Sequence, residues 1–209
     1  MNTVSQGGGV LKKIKNSPYV QAFASYRMVI MVVLGFASGL PLPLTSGTLQ
    51  AWLTTAGVDI KMIGIFSIVG LPYTLKFLWS PFMDRFVPPF LGRRRGWIVC
   101  TQVALLAGIA VMALTSPESM PLALGIIALC VAFFSASQDI VVDAYRTDVL
   151  PANERGTGVA VFIFGYRIAF LVAGALALMM ADRVGWQKTY IFMACLMILG
   201  MLGSFAGRE

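Results

Sequence analysis

The chain has 209 residues, of which 58% are hydrophobic and 12% charged, with a net charge of +7 and no histidine. A soluble domain carries about twice that charged fraction, so the composition excludes an ordinary soluble fold and requires an integral membrane protein. The missing histidines exclude imidazole metal sites and imidazole proton relays, which leaves carboxylates for any proton coupling.

Residues 1–17, with Gly7, Gly8 and Gly9 ahead of Lys12, Lys13 and Lys15, read as a basic cytoplasmic tail. Residues 18–209 read as one all-α transmembrane domain. Charge-poor stretches at 28–53, 62–83, 96–117, 119–142, 156–181 and 189–207 are each long enough to cross about 30 Å of hydrocarbon as a helix. A transmembrane β-barrel would show short alternating segments instead. The first stretch is too long for the apolar core of a cleavable signal and is expected to be retained. Cys100, Cys130 and Cys195 lie within spans without metal spacing or a disulfide framework, so they are expected to pack. No metal or other cofactor is expected.

Eleven basic residues lie in the tails and every second loop: Lys12, Lys13, Lys15, Arg27, Arg85, Arg93, Arg94, Arg95, Arg146, Arg155 and Arg208. Only Lys61, Arg183 and Lys188 lie in the alternate loops. This asymmetry predicts that both termini are cytoplasmic. It also makes the basic excess a topology signal, with no nucleic-acid partner expected.

In the first span, Gly35 and Gly39 are four apart, and Pro41 and Pro43 follow. Small residues at that spacing let helices approach closely, while prolines remove amide donors. Two readings stand: a packed, kinked helix, or a bent pore-lining helix in which Thr45, Ser46, Thr48 and Gln50 offer hydrogen bonds. In the second span Lys76 either snorkels to the interface or serves a conformational role. Asp84-Arg85 and Gly92-Arg93-Arg94-Arg95 then form a charged turn expected to cap neighbouring helix ends; it lacks the phosphate-loop pattern. A weak repeat relates Asp84-Arg85 and Gly96-Trp97 to Asp182-Arg183 and Gly185-Trp186. Its placement predicts two inverted three-helix repeats.

From Ser119 to Gln138 there is no charge, and Asp139 and Asp143 follow, four apart and hence on one helix face. Ionisable groups at membrane depth are usually paired and functional. Two such carboxylates cannot both ionise cheaply, so one holding a proton would suit proton coupling. The competing reading is a helix end with Asp143, Arg146 and Asp148 in exposed ion pairs. Arg167, about 18 Å along the fifth span from Arg155, matches Asp139 in depth; the two are expected to pair, or Arg167 to meet an anionic solute. An intramembrane aspartyl protease would need a Gly-Asp motif, which the chain lacks, and no enzymatic activity is expected.

The charged turn resembles the loop signature of the major facilitator superfamily, stretched here by Pro88 and Pro89. The blocks Leu34-Gly-Phe-Ala-Ser-Gly39, Lys76-Phe-Leu-Trp-Ser-Pro81, Gly92-Arg-Arg-Arg-Gly-Trp97, Ser135-Ala-Ser-Gln-Asp-Ile-Val-Val-Asp143, Asp148-Val-Leu-Pro-Ala-Asn-Glu-Arg-Gly156 and Gly165-Tyr-Arg167 narrow this. Together they resemble the AmpG-type muropeptide permeases. The resemblance implies proton-driven import of anhydro-muropeptides across the bacterial inner membrane, serving cell-wall recycling and β-lactamase induction, with antibiotic resistance as a consequence. It implies proton-coupling roles for Asp139 and Asp143 and a requirement for Gln138 and Gly39. The expected solute contacts are Gln138, Arg167, Gln50 and Thr48; Gly35, Gly39, Asp84, Arg85, Arg94 and Lys76 are expected to act conformationally.

Permeases of this type have twelve or more spans, so the chain reads as the amino-terminal six-helix half. Its expected partners are the solute, the lipid bilayer and a carboxy-terminal helical half. The alternatives are a non-transporting membrane fragment or assembly partner, or a major facilitator carrying another solute.

Overall fold

The computed structural model describes residues 25–86, 88 and 92–206. The predicted basic tail, Pro89 and the last three residues lie outside them. Among the described residues, six helices are long and apolar enough to cross a membrane. They are span 1 (Tyr26–Thr55), span 2 (Ile60–Leu78), span 3 (Arg94–Leu114), span 4 (Pro121–Val149), span 5 (Arg155–Val184) and span 6 (Trp186–Phe205). The protein is a multi-pass membrane protein.

The spans differ in regularity, for reasons written in their sequences. Span 1 is interrupted at Leu40 and Ser46, around Pro41 and Pro43. There Thr45 Oγ1 donates to the Pro41 and Leu42 carbonyls at 3.0 and 3.2 Å, and Ser46 Oγ to Leu42 at 2.6 Å. Those hydroxyls therefore serve the broken backbone.

Span 2, which continues past Leu78 through a short helix to Arg85 and was expected as one helix over 62–83, is a string of short pieces. Helical turns at Ile60–Ile65, Leu71–Leu75 and Ser80–Arg85 alternate with 3-10 turns at Phe66–Gly70 and Lys76–Leu78. Pro72 and Pro81 stand in the first turns of two of these pieces. A proline ring excludes the hydrogen bond that would continue the preceding helix.

Span 4 has no such residue after Pro121 and runs unbroken to Val149, seven residues past the expected end. It stops at Leu150, ahead of Pro151, and Arg155 covers the freed Leu150 and Thr147 carbonyls at 3.2 and 3.3 Å. Span 5 contains one π-helical turn, Val172–Leu176.

The main pairings between non-consecutive spans, with the consecutive pair 3 and 4, are span 1 with spans 4, 5 and 6, span 4 with spans 2 and 3, and span 3 with span 6; spans 5 and 6 also pack, without a span 2–span 3 pairing to match. Exchanging 1 with 4, 2 with 5 and 3 with 6 reproduces the main set, as an inverted three-helix repeat requires. The turns into spans 3 and 6 agree: Gly92 and Gly185 both adopt positive φ, 85° and 88°. The equivalent of Gly185 is thus Gly92, not Gly96 as the Gly-Trp spacing suggested. Regularity does not follow the repeat throughout: spans 2 and 5 are both irregular, but span 1 is interrupted and its equivalent, span 4, is not.

Spans 1 and 5 meet backbone to backbone. A Cβ at Gly35 would collide with the Phe162 carbonyl, and one at Gly165 with the Val32 carbonyl; at Gly39 it would lie 2.7 Å from the Tyr166 carbonyl oxygen. This confirms the close approach read from Gly35 and Gly39 and supplies its counterpart, Gly165.

At one end of the bundle Arg94 bridges Asp84 at 2.6 Å and Asp148 at 3.1 Å, joining spans 2, 3 and 4. Arg95 donates to the Ser204 and Phe205 carbonyls at 3.1 and 2.8 Å, capping span 6. The charged turn therefore caps a neighbouring helix, as expected; Arg85 is exposed. At the other end Trp52 stacks on Trp186 at 5.9 Å and tilts against Tyr190 at 4.8 Å. Tyr190 Oη donates to Leu44 at 2.8 Å.

Gly35→Ala and Gly165→Ala should each destabilise the detergent-solubilised protein by about 1–3 kcal/mol, the usual cost of overpacking. Gly64→Ala, where nothing lies within 4 Å, should be tolerated. Thermal unfolding checks this, and equal tolerance at all three sites would contradict the crossing.

Candidate functional site

One group of buried polar residues lies where spans 1, 2 and 4 meet; another, with Ser204 Oγ donating to Gln102 Oε1 at 2.9 Å, joins spans 3 and 6. Asp139 lies four residues past Ser135, the midpoint of the unbroken Pro121–Val149 helix, hence about 6 Å from the middle at 1.5 Å per residue. Sequence puts it inside the hydrocarbon or at its edge, one turn before the charged end of the helix that carries Asp143, Arg146 and Asp148. It is partly buried and belongs to no ion pair among the described residues.

Around it are three buried polar atoms without a hydrogen-bond partner: Tyr73 Oη, Ser135 Oγ and Gln138 Oε1. The Tyr73 hydroxyl faces Ser135, Thr45 and Asp139. Gln138 Nε2 donates to Ser38 Oγ at 3.3 Å, tying span 4 to span 1. On the span 2 side, Trp79 Nε1 donates to Ser137 Oγ at 3.0 Å and its ring packs on Phe133 at 4.9 Å. An unsatisfied buried polar group costs about 1–3 kcal/mol. Three beside a carboxylate therefore mark a place that water or a solute completes.

The other expected site residues are spread more widely. Asp143 is exposed and pairs with Arg146 at 3.1 Å, while Arg146 also lies 5.0 Å over the Phe162 ring. Thr48 is buried, and its hydroxyl donates to the Ala173 carbonyl at 2.7 Å, within the π turn of span 5. Gln50 is exposed.

Arg167 is exposed too, and the expected Asp139–Arg167 ion pair is not formed. Depth was matched, but direction was not. Gly165 and Ala169 turn toward span 1, and a residue two positions from each points about 200° away on a helix. The cation that acts on Asp139 is instead Lys76, on span 2.

Tyr73 and Trp79 were missed in the sequence. Their signal was the spacing 73, 76, 79, which sets an aromatic three residues on either side of Lys76.

A cleft of about 870 Å³ opens at the charged end, lined by residues including Arg27, Ile30, Met31, Tyr145, Asp148 and Glu154. Arg27 and Glu154 approach to 3.8 Å across it. Among the described residues there is no cluster of three or more His, Cys, Asp or Glu side chains that could hold a metal.

The sequence is 55% identical, over 93% of the chain, to the anhydromuropeptide permease of Escherichia coli K12. It is 38% identical, over 82% of the chain, to putative transporter AmpG 4 of Rickettsia felis. The chain is AmpG-like in sequence. It spans 40% of the length of the first relative and 43% of the second. An uncharacterised protein of Haemophilus influenzae is 44% identical over 90% of the chain, which covers 44% of it. The family model described as acetyl-coenzyme A transporter 1 matches residues 27–121. AmpG likeness therefore extends through span 4 and the block carrying Gln138 and Asp139, whereas the acetyl-coenzyme A transporter match stops at the start of that span.

Tyr73→Phe should leave thermal stability nearly unchanged, because the hydroxyl faces Ser135 and Thr45 but makes no well-aligned hydrogen bond among the described residues. A loss above about 1 kcal/mol, the usual net value of one hydrogen bond, would show that an ordered water already completes it.

Proposed function

We propose that the chain is the amino-terminal half of a permease that imports anhydro-muropeptides across the bacterial inner membrane. The energy comes from a proton gradient, and Asp139 carries the proton. The observation that supports this most is the partly buried Asp139, in no ion pair among the described residues, beside the unsatisfied Tyr73, Ser135 and Gln138 atoms. It sits on a chain that is 55% identical over 93% of its length to a protein named as an anhydromuropeptide permease. A carboxyl that gains and loses a proton inside the membrane can couple solute movement to the gradient, as intramembrane acids do in pumps and transporters.

In this reading the hydroxyls and the Gln138 amide offer hydrogen bonds to the sugar and peptide of the cargo. Arg167 and Gln50 lie exposed on the bundle, open to the solute or to a carboxy-terminal half that covers them. An arginine at that depth is costly against lipid, which favours a polar or protein-covered face there. Spans 2 and 5 agree, being mostly exposed where span 1 is mostly buried. Asp143 has an auxiliary role in coupling through its tie to Arg146. The imported muropeptide feeds cell-wall recycling and β-lactamase induction. A second reading, an acyl-coenzyme A-like cargo in the same scaffold, has the family match over 27–121 behind it.

Uptake into vesicles carrying the complete permease tests the function. Labelled anhydro-muropeptide should accumulate under an imposed proton gradient, and acetyl-coenzyme A should not compete. Asp139→Asn should abolish accumulation yet keep gradient-free exchange, because the amide resembles the protonated acid but cannot cycle its charge. Full accumulation in that variant would remove Asp139 from the coupling.

The basic asymmetry also orients the chain, with both termini cytoplasmic. Maleimide labelling in cells should reach Arg85→Cys only after the membrane is opened, and Ser116→Cys from outside. The reverse pattern would invert the topology.

A further inference from the structure

Lys76 and Asp139 are partly buried, on elements that pack against each other, and neither belongs to an ion pair among the described residues. Lys76 opens the 3-10 turn Lys76–Leu78, next to the Leu71–Leu75 piece. Residues three apart share a face in such turns, so Tyr73, Lys76 and Trp79 form one row. Both outer members turn to span 4: the Tyr73 hydroxyl faces Ser135, and Trp79 is bonded to Ser137. The row therefore directs Lys76 to the same helix.

The remaining charged and titratable groups around the carboxyl are accounted for. Asp143 is tied to Arg146. Tyr73 and Tyr166 contribute phenols from spans 2 and 5, and Arg167 acts on Tyr166 from the exposed side. Lys76 is left as the cation whose field reaches Asp139.

We propose that Lys76 is the resident counter-charge of Asp139, a positioning residue on a jointed span that closes on the carboxylate when the proton leaves and is released when it returns. This rests on Asp139 being the coupling residue. A deprotonated carboxylate alone in the membrane is costly, and an ammonium held nearby lowers that cost. The proton leaves to water and returns from it. Protonation of Asp139 removes the attraction, and span 2 is then free to bend at its two 3-10 turns, where mid-helix hinges often lie.

Two measurements test the pair, on vesicles with the complete permease and on the purified chain. Lys76→Gln should lose gradient-driven accumulation of labelled anhydro-muropeptide while exchange persists, and Lys76→Arg should recover accumulation; a lysine that only packs or snorkels would not give this split. In thermal unfolding, Asp139→Asn combined with Lys76→Gln should lower Tm by less than the two single shifts added together. Parental accumulation in Lys76→Gln, with accumulation lost in Asp139→Asn, overturns Lys76 and leaves Asp139 in place. Should Asp139→Asn accumulate normally, the coupling reading fails first, and additive Tm shifts then overturn the pair as well. If Lys76→Gln does not insert, oxidation of the Lys76→Cys, Asp139→Cys double variant decides: a disulfide supports the proximity, and its absence overturns it.

Discussion

The crossing of spans 1 and 5 is the constraint from which the interior follows. With no side chain at Gly35, Gly39 or Gly165, two helices touch through their carbonyls. That contact fixes the rotation of both. On span 1 it turns Ser38 toward span 4, where it takes the Gln138 amide. Farther along, it brings Thr48 to the Ala173 carbonyl in the π turn. On span 5 it holds Gly165 and Ala169 inward, so Arg167 must face out. A single added methyl would disturb all of these, because packed helices have few alternative registers.

Spans 2 and 4 divide the remaining work between a jointed element and a rigid one. Span 4 carries Ser135, Ser137, Gln138 and Asp139 on an uninterrupted helix, so their mutual spacing is constant. Span 2 brings Tyr73, Lys76 and Trp79 on short pieces separated by 3-10 turns. Polar contacts on a stiff rod can then be made and broken by local bending of its neighbour. The indole of Trp79, bonded to Ser137, anchors the joint at one point.

Much of this was legible in the residues. Hydrophobic run lengths located six spans, because a bilayer demands about 20 apolar residues wherever a helix crosses. Spacing of small residues marked Gly35 and Gly39, and an isolated acid after an uncharged run marked Asp139. What failed was azimuth and continuity. Depth along a helix can be counted, whereas the direction of Arg167 depends on which face of span 5 meets span 1, and that is a tertiary fact. Span 2 was read as one helix because hydropathy does not register a missing amide; Pro72 and Pro81 did record it. The end of span 4 was placed early because Asp143, Arg146 and Asp148 broke the apolar run without breaking the helix.

The two ends of the bundle are held together by different physics. Arg94 holds Asp84 and Asp148 with carboxylates that are 48% and 58% exposed, so mobile ions compete with that clasp over a Debye length of about 8 Å in physiological salt. The opposite end is held by Trp52, Trp186 and Tyr190, whose ring contacts are indifferent to ionic strength and draw on burial of apolar surface. Salt should therefore weaken the contacts at one end and spare those at the other, so that the electrolyte on one side biases which end of the bundle spreads.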